Sequence, residues 1–278
     1  PKSVREFCRR ILESGDLETK LAPPGPLDDH EPGPALSIDR PARAPGLRLA
    51  GGSAPLPRPS ELGHADARAR ALARFAHHEL MAVELFAWAL LRWPELPRAL
   101  RDDLLAVLAD EQRHCQLYRS RLREHGSRLA DHAPHSDYFW RHAPAVAASP
   151  AGPRAFLAAM GLTLEQANLD FSLVYRDAFR AAGDEESARV CERVHRDEIG
   201  HVGVASRWLQ SLSPERDLVA AYDEAVPFPL SAARAKGHRF DASARRKAGL
   251  DERFIGYIRD ARSSQETGQS QSGGRPQR

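Results

Sequence analysis

Two segments of this chain place a glutamate and a histidine three residues apart in the middle of an apolar helical stripe. The first is Glu111 and His114 in VLADEQRHCQLY, where the stripe is Leu100, Leu104, Val107 and Leu117. The second is Glu198 and His201 in DEIGH, between Val190 and Val194 on one side and Ala205 and Trp208 on the other. In an α-helix, positions i and i+3 share a face, so each pair points inward with its stripe. A carboxylate buried without a partner is costly. A chain that does this twice has to supply cations to its own core.

The segments that carry the pairs belong to four long helical stretches. They run from about Ala65 to Trp93, from Pro97 to His125, from Pro153 to Ala182 and from Asp184 to Leu212. Pro94, Gly126, Gly183 and Pro214 punctuate them, and the short first and third connections predict two antiparallel hairpins. Residues 127–150 join the hairpins, with a small helix expected around Tyr138–His142. An amphipathic helix over residues 2–14 presents Val4, Phe7, Cys8, Ile11 and Leu12 on one face. Residues 22–60 hold ten of the 21 prolines. Proline fixes φ and lacks a donor, so this stretch is neither helix nor central strand. The spaced Leu36, Ile38, Leu47 and Leu49 favour an extended arm laid over a domain rather than a free linker. Further helices are expected around Pro214–Glu224 and Ala242–Arg262, and the final SSQETGQSQSGGRPQR has the composition of a disordered tail. No alternating strand pattern is visible. The expected organisation is an N-terminal helix and arm (1–60), a four-helix bundle (61–213), a helical extension (214–262) and a tail (263–278).

The other two long helices provide the missing carboxylates. Glu79 lies in the stripe of Leu72, Phe75, Ala82 and Phe86, and Glu165 lies between Leu162 and Leu169. Glu79 precedes Glu111 by 32 residues and Glu165 precedes Glu198 by 33, a repeat that resembles an internal duplication of one hairpin. In the first hairpin both carboxylates fall about 16 residues from the turn, roughly 24 Å down their helices. The second hairpin has about one turn of slack, which a loop or a π-bulge has to absorb. Glu84 competes with Glu79 as the ligand from the first helix, and spacing favours Glu79. One Glu from each of two helices and Glu-x-x-His from each of the other two form the ligand set of carboxylate-bridged di-iron bundles. Glu79, Glu111, His114, Glu165, Glu198 and His201 are therefore the expected metal ligands. This oxygen-rich set, with one imidazole per ion, suits two iron ions, or manganese, better than zinc.

The motifs also carry a family resemblance. DEQRH at Asp110–His114 is similar to the Asp-Glu-x-Arg-His motif of bacterial di-iron monooxygenases, and DEIGH at Asp197–His201 is a second copy without the arginine. Together with HHELMAVELFAWALLRWP they resemble an uncharacterised ferritin-like family related to the tRNA hydroxylase that oxidises an isopentenyl-type adenosine. The similarity covers about residues 65–210. It implies an all-α, ferritin-like four-helix bundle and an orienting role for Asp110 and Asp197 on histidine ligands, which suits the need of a ligating imidazole for an acceptor on its other nitrogen. His78 and Asn168 are the other residues expected beside the ligands. Asn168 sits three residues beyond Glu165, where it can hold a ligand carboxylate.

The expected activity is that of a di-iron oxidoreductase, a monooxygenase or oxidase that uses O2 on an organic substrate such as a modified nucleoside or small metabolite. An external reductase would supply electrons, because no flavin, nicotinamide or four-cysteine iron–sulfur motif is present. The alternative is ferritin-type iron oxidation and storage, or peroxide scavenging. Residues 226–278 hold eleven Lys/Arg against five Asp/Glu, leaving 29 against 33 in the remainder. The basic run at 234–247 is accordingly a candidate contact for tRNA phosphates. The apolar runs are too short to cross a membrane. The opening residues lack a secretory pattern and the three cysteines are scattered, so the expected compartment is the cytoplasm.

Overall fold

The structure is a computed structural model that describes residues 1–52 and 55–262. The tail expected at 263–278 lies outside the described residues. α1 (Val4–Glu13) starts at Ser3, whose hydroxyl accepts from Glu6 N, and buries the five residues expected on its inner face. α2 (Leu17–Leu21) is capped by Asp16. The chain then runs through the proline-rich stretch to β1 (Leu49–Ala50). α3 (Ala65–Arg92) and α4 (Arg98–Glu124) follow, then β2 (His135–Ser136), α5 (Ala143–Ala148) and α6 (Pro153–Phe156). A π-helix spans Leu157–Glu165 and passes directly into α7 (Gln166–Ala181). α8 (Glu185–Ser211), α9 (Leu218–Ala225), α10 (Ala242–Lys247) and α11 (Glu252–Asp260) complete the described chain.

The described part of the chain is mostly helical, as its patterning predicts. Among the described residues the strands are β1 and β2, which pair in parallel over two residues each. A ladder this short has no alternation to read. Two helices also differ from expectation. The small helix near Tyr138–His142 is a 3-10 turn at Trp140–His142 followed by α5. The helix expected over 242–262 is broken, because Gly249 takes φ +83° and Asp251 caps a new start at Phe254 N.

The chain forms two compact units. The first contains Pro1–Ala148 and Val174–Val194. Its core takes residues from four helices: Leu72 and Ala76 from α3, Cys115, Tyr118 and Leu122 from α4, Tyr175 and Phe179 from α7, and Ala188, Cys191 and Val194 from α8. α3 is buried nearly all round from Glu79 to Leu91, which explains its lack of a polar face. α7 and α8 meet at Gly183, where φ is +76° and Asp184 N donates back to Phe179 O. The arm lies along α3 and α4: Leu36 N donates to Leu91 O at 2.9 Å, Trp88 Nε1 to Ile38 O at 3.0 Å, and Gln112 Nε2 to Lys20 O and Ala22 O.

The second unit contains Ser149–Leu173 and the chain from His195 onward. Gly161 in the π-helix lets that segment approach α8 closely: a Cβ there would stand 2.1 Å from Ala205 Cβ. The C-terminal helices are tied to this pair by Thr163 Oγ1 and Tyr222 Oη, 2.7 Å apart, and by the buried ion pair of Asp170 and Arg245 at 2.8 Å.

Candidate metal centre

In the first unit, α3 delivers Glu79 and α4 delivers Glu111 and His114. All three are buried, none more than 6% exposed. One ligand atom from each lies within 4.8 Å of the others, and Glu111 Oε2 is 3.5 Å from His114 Nδ1. Glu84 is also fully buried but is engaged elsewhere. Lys20 Nζ lies 2.9 Å from its Oε1, and Oε2 accepts from Arg43 Nη2 at 2.6 Å and Trp140 Nε1 at 2.9 Å. Two cations and an indole already compensate this carboxylate, so the first-helix ligand the geometry presents is Glu79.

In the second unit, Glu165, Glu198 and His201 form the matching triad, again with ligand atoms within 4.8 Å of one another. His201 Nδ1 is 3.3 Å from Glu198 Oε2 and 4.0 Å from Glu165 Oε2. Glu165 is the last residue of the π-helix. A π-helix closes i→i+5 bonds, so each turn holds more residues than an α-turn. This widening absorbs the slack in the second hairpin and leaves Glu165 level with Glu198 and His201. Asn168 donates from Nδ2 to Glu198 Oε1 at 2.7 Å. Glu198 Oε2, on the other side of that carboxylate, is buried and accepts no hydrogen bond. Buried carboxylate oxygens with imidazole nitrogens beside them suit a hard or borderline divalent cation.

The remaining candidates fall as follows. Asp110 pairs with Arg113, one helical turn apart. Asp197 is half-buried just before Glu198. His78 is half-buried and stacks on Phe139, and burial lowers its pKa to about 3. His77 is fully buried, stacks on His135 at 4.4 Å between ring centres and lies 3.2 Å from Arg43 Nη1. His195 faces Ser172 Oγ at 3.2 Å, and its Nε2 is 3.7 Å from Asp241. Within the basic run, Arg245 is buried against Asp170, which takes it out of reach of an outside phosphate. Sequence reasoning missed Lys20, Arg43 and Trp140 as the partners of Glu84. They lie far away in sequence, and the only available signal was a charged residue inside an apolar helical face.

No helix among the described residues is long and apolar enough to cross a membrane. The fold and the two triads define a helical protein with buried Glu/His groups at metal-binding distances. The chain belongs to the family described as Protein of unknown function (DUF455), whose model matches residues 4–256, from the start of α1 into α11. No curated protein and no solved structure matches it.

Proposed function

We propose that each of the two triads holds an iron or manganese ion with the ligand set of ferritin-like bundles, and that the protein is an O2-dependent oxidoreductase acting on an organic substrate. The carrying observation is the duplicated donor set, a lone glutamate and a Glu-x-x-His pair in each unit, all six residues buried. A structural metal site seldom needs two such sets, and six oxygen-rich donors are the ligand inventory of di-metal carboxylate bundles. When bound, such a pair supplies redox chemistry toward O2. The chain's own residues have other tasks. Four carboxylates offset the charge of two dications, and two imidazoles add neutral donors. Asn168 fixes one oxygen of Glu198 and leaves the other to a ligand. The surrounding apolar stripes exclude water. Asp110 and Asp197 orient imidazoles in this reading, as the family resemblance implies. Electrons come from a separate reductase.

Metal analysis and an oxygen electrode test the proposal. The expected result is close to two iron or manganese ions per chain and O2 consumption once a chemical reductant is supplied. Zinc at one per chain, or metal-loaded protein inert to O2, would refute it. Ferritin-type storage is the second reading, and iron uptake far beyond two per chain would favour it. A tRNA substrate is tested by gel shift at low salt, where a shift lost on substituting Arg234, Arg239 and Lys247 would support contact through the basic run.

A further inference from the structure

A cavity of about 710 Å³ opens in the second unit, within the size range of small-molecule sites. It is separate from the metal triads and is built from α7, the loop after α9 and the end of α11. Its apolar walls are Phe171 and Phe240. Phe171 is 42% exposed in mid-helix, unusual for a side chain of that size. Its polar walls are Lys236, His238, Arg259 and Arg262. The one acid among them, Asp260, is taken by Arg259 Nε at 3.1 Å. The remaining charge is positive.

The walls are fixed from behind. Asp170, one residue before Phe171, accepts from Gly237 N at 2.8 Å, Asp241 N at 2.7 Å and both terminal nitrogens of Arg245. Its charge is therefore spent on holding the loop and does not reach the cavity. Gly237 permits this approach, because a Cβ there would press on Asp170 Cβ at 3.0 Å and on the Phe171 ring at 3.7 Å. The Arg245 guanidinium lies 3.9 Å from the centre of the Phe240 ring and sets its plane. Lys236 Nζ donates to Ala261 O at 2.7 Å and to Arg259 O, which holds the end of α11 against the loop. An ammonium has three hydrogens, so one remains for a ligand.

We propose that this cavity binds a phosphorylated molecule bearing a flat ring, of mononucleotide size. The two phenylalanines offer stacking surface to the ring, which any base can use. Arg262, His238 and the third hydrogen of Lys236 take the phosphate. The ligand is either a free nucleotide or the exposed end of a polynucleotide.

Calorimetry on the full chain, with and without added iron, tests the site using adenosine 5′-monophosphate, adenosine, inorganic phosphate and a 5′-phosphorylated trinucleotide. The monophosphate is expected to bind at least tenfold more tightly than adenosine or phosphate alone, with or without metal. Equal or tighter trinucleotide binding identifies the polynucleotide source, and its exclusion identifies the free nucleotide. Phe171→Ala and Arg262→Ala, both at exposed positions, are each expected to weaken binding about tenfold without changing the thermal melt. Failure of the monophosphate to bind, phosphate binding as well alone, or unchanged affinity in both variants would overturn the proposal. Because binding is read in metal-free protein too, its failure is distinguishable from failure of the oxidoreductase reading.

Discussion

Asn168 holds Glu198: the amide donates to Oε1 at 2.7 Å, while Oε2 lies 3.3 Å from His201 Nδ1. One oxygen of the carboxylate is thus fixed by the neighbouring helix and the other is directed toward the imidazole. Partners that orient a ligand carboxylate typically contribute 10–100-fold in metal affinity. Asn168→Ala should therefore weaken iron binding by about that factor while metal-free protein melts within about 1 kcal/mol of the parent. Chelator competition reads the affinity. Unchanged affinity would assign Asn168 to helix packing alone.

Glu79 and Glu84 lie five residues apart on α3, both buried, and should fail in opposite ways. Glu84 compensates Lys20, which is fully buried, and Arg43. Removing one member of a buried ionic group leaves the others uncompensated, at roughly 3–5 kcal/mol. Glu84→Ala should lower stability by about that much in urea melts and keep its metal stoichiometry if it folds. Glu79→Ala should lose bound metal and show little loss of stability without metal. Metal loss in the Glu84 variant at temperatures where circular dichroism shows it folded would reverse the ligand assignment.

The buried ion pair of Asp170 and Arg245 makes a third test. Asp170→Asn keeps shape and some hydrogen bonds but leaves a guanidinium buried without a counter-charge. The expected loss is again about 3–5 kcal/mol. A double change, Asp170→Leu with Arg245→Met, should recover part of it, since an apolar pair of similar volume carries no buried charge. Equal losses in the single and double variants would show that the loop's backbone donors to Asp170 dominate.

His135 predicts a pH dependence. Burial lowers its pKa to about 4; Arg43, His132 and Arg74 act in the same direction, and the Gly46 carbonyl opposes them. The unfolded chain takes up a proton near pH 6.5 and the folded chain only near 4. Stability should therefore be full above 6.5, fall as the pH drops from 6.5 toward 4, and level below that. The loss from this one group is roughly 3 kcal/mol. Urea melts between pH 7 and 4.5 should show a shallower slope in His135→Gln than in the parent. Parallel slopes would mean that other groups carry the acid sensitivity.

Much of this was legible because helical periodicity extends over 25 or more residues in α3, α4 and α8. The bounds at Arg92, Arg98 and Glu185 fall within a residue or two of the punctuation at Pro94, Pro97 and Gly183. The six ligand candidates were legible for the same reason, since a charged residue in an apolar stripe is conspicuous. The cation side of the core was not. Lys20 reaches Glu84 from 64 positions away, and Arg245 reaches Asp170 from 75, with no periodic pattern joining them. The two-residue pairing of β1 with β2 is likewise a product of how the arm lies on the unit. Gln112, the middle residue of DEQRH, holds the backbone carbonyls of Lys20 and Ala22 where the arm begins, a role visible only once the arm is placed.

The slack in the second hairpin leads to the last prediction. The π-helix Leu157–Glu165 ends on a candidate ligand, and at its centre Gly161 faces Ala205 so closely that a methyl group would meet Ala205 Cβ at 2.1 Å. Real carbon atoms do not approach that closely, so Gly161→Ala has to push the π-segment away from α8. Overpacking of this kind costs typically 1–3 kcal/mol. Because Glu165 lies one turn further along the same segment, the displacement should also move it away from His201 and weaken metal binding. Ala205→Gly removes the opposing methyl group, so the double variant should recover metal affinity even where the added glycine keeps stability below the parent. Recovery of neither property would mean that glycine serves the π-geometry itself rather than the contact with α8. Normal metal affinity in Gly161→Ala alone would uncouple the π-helix from the placement of Glu165.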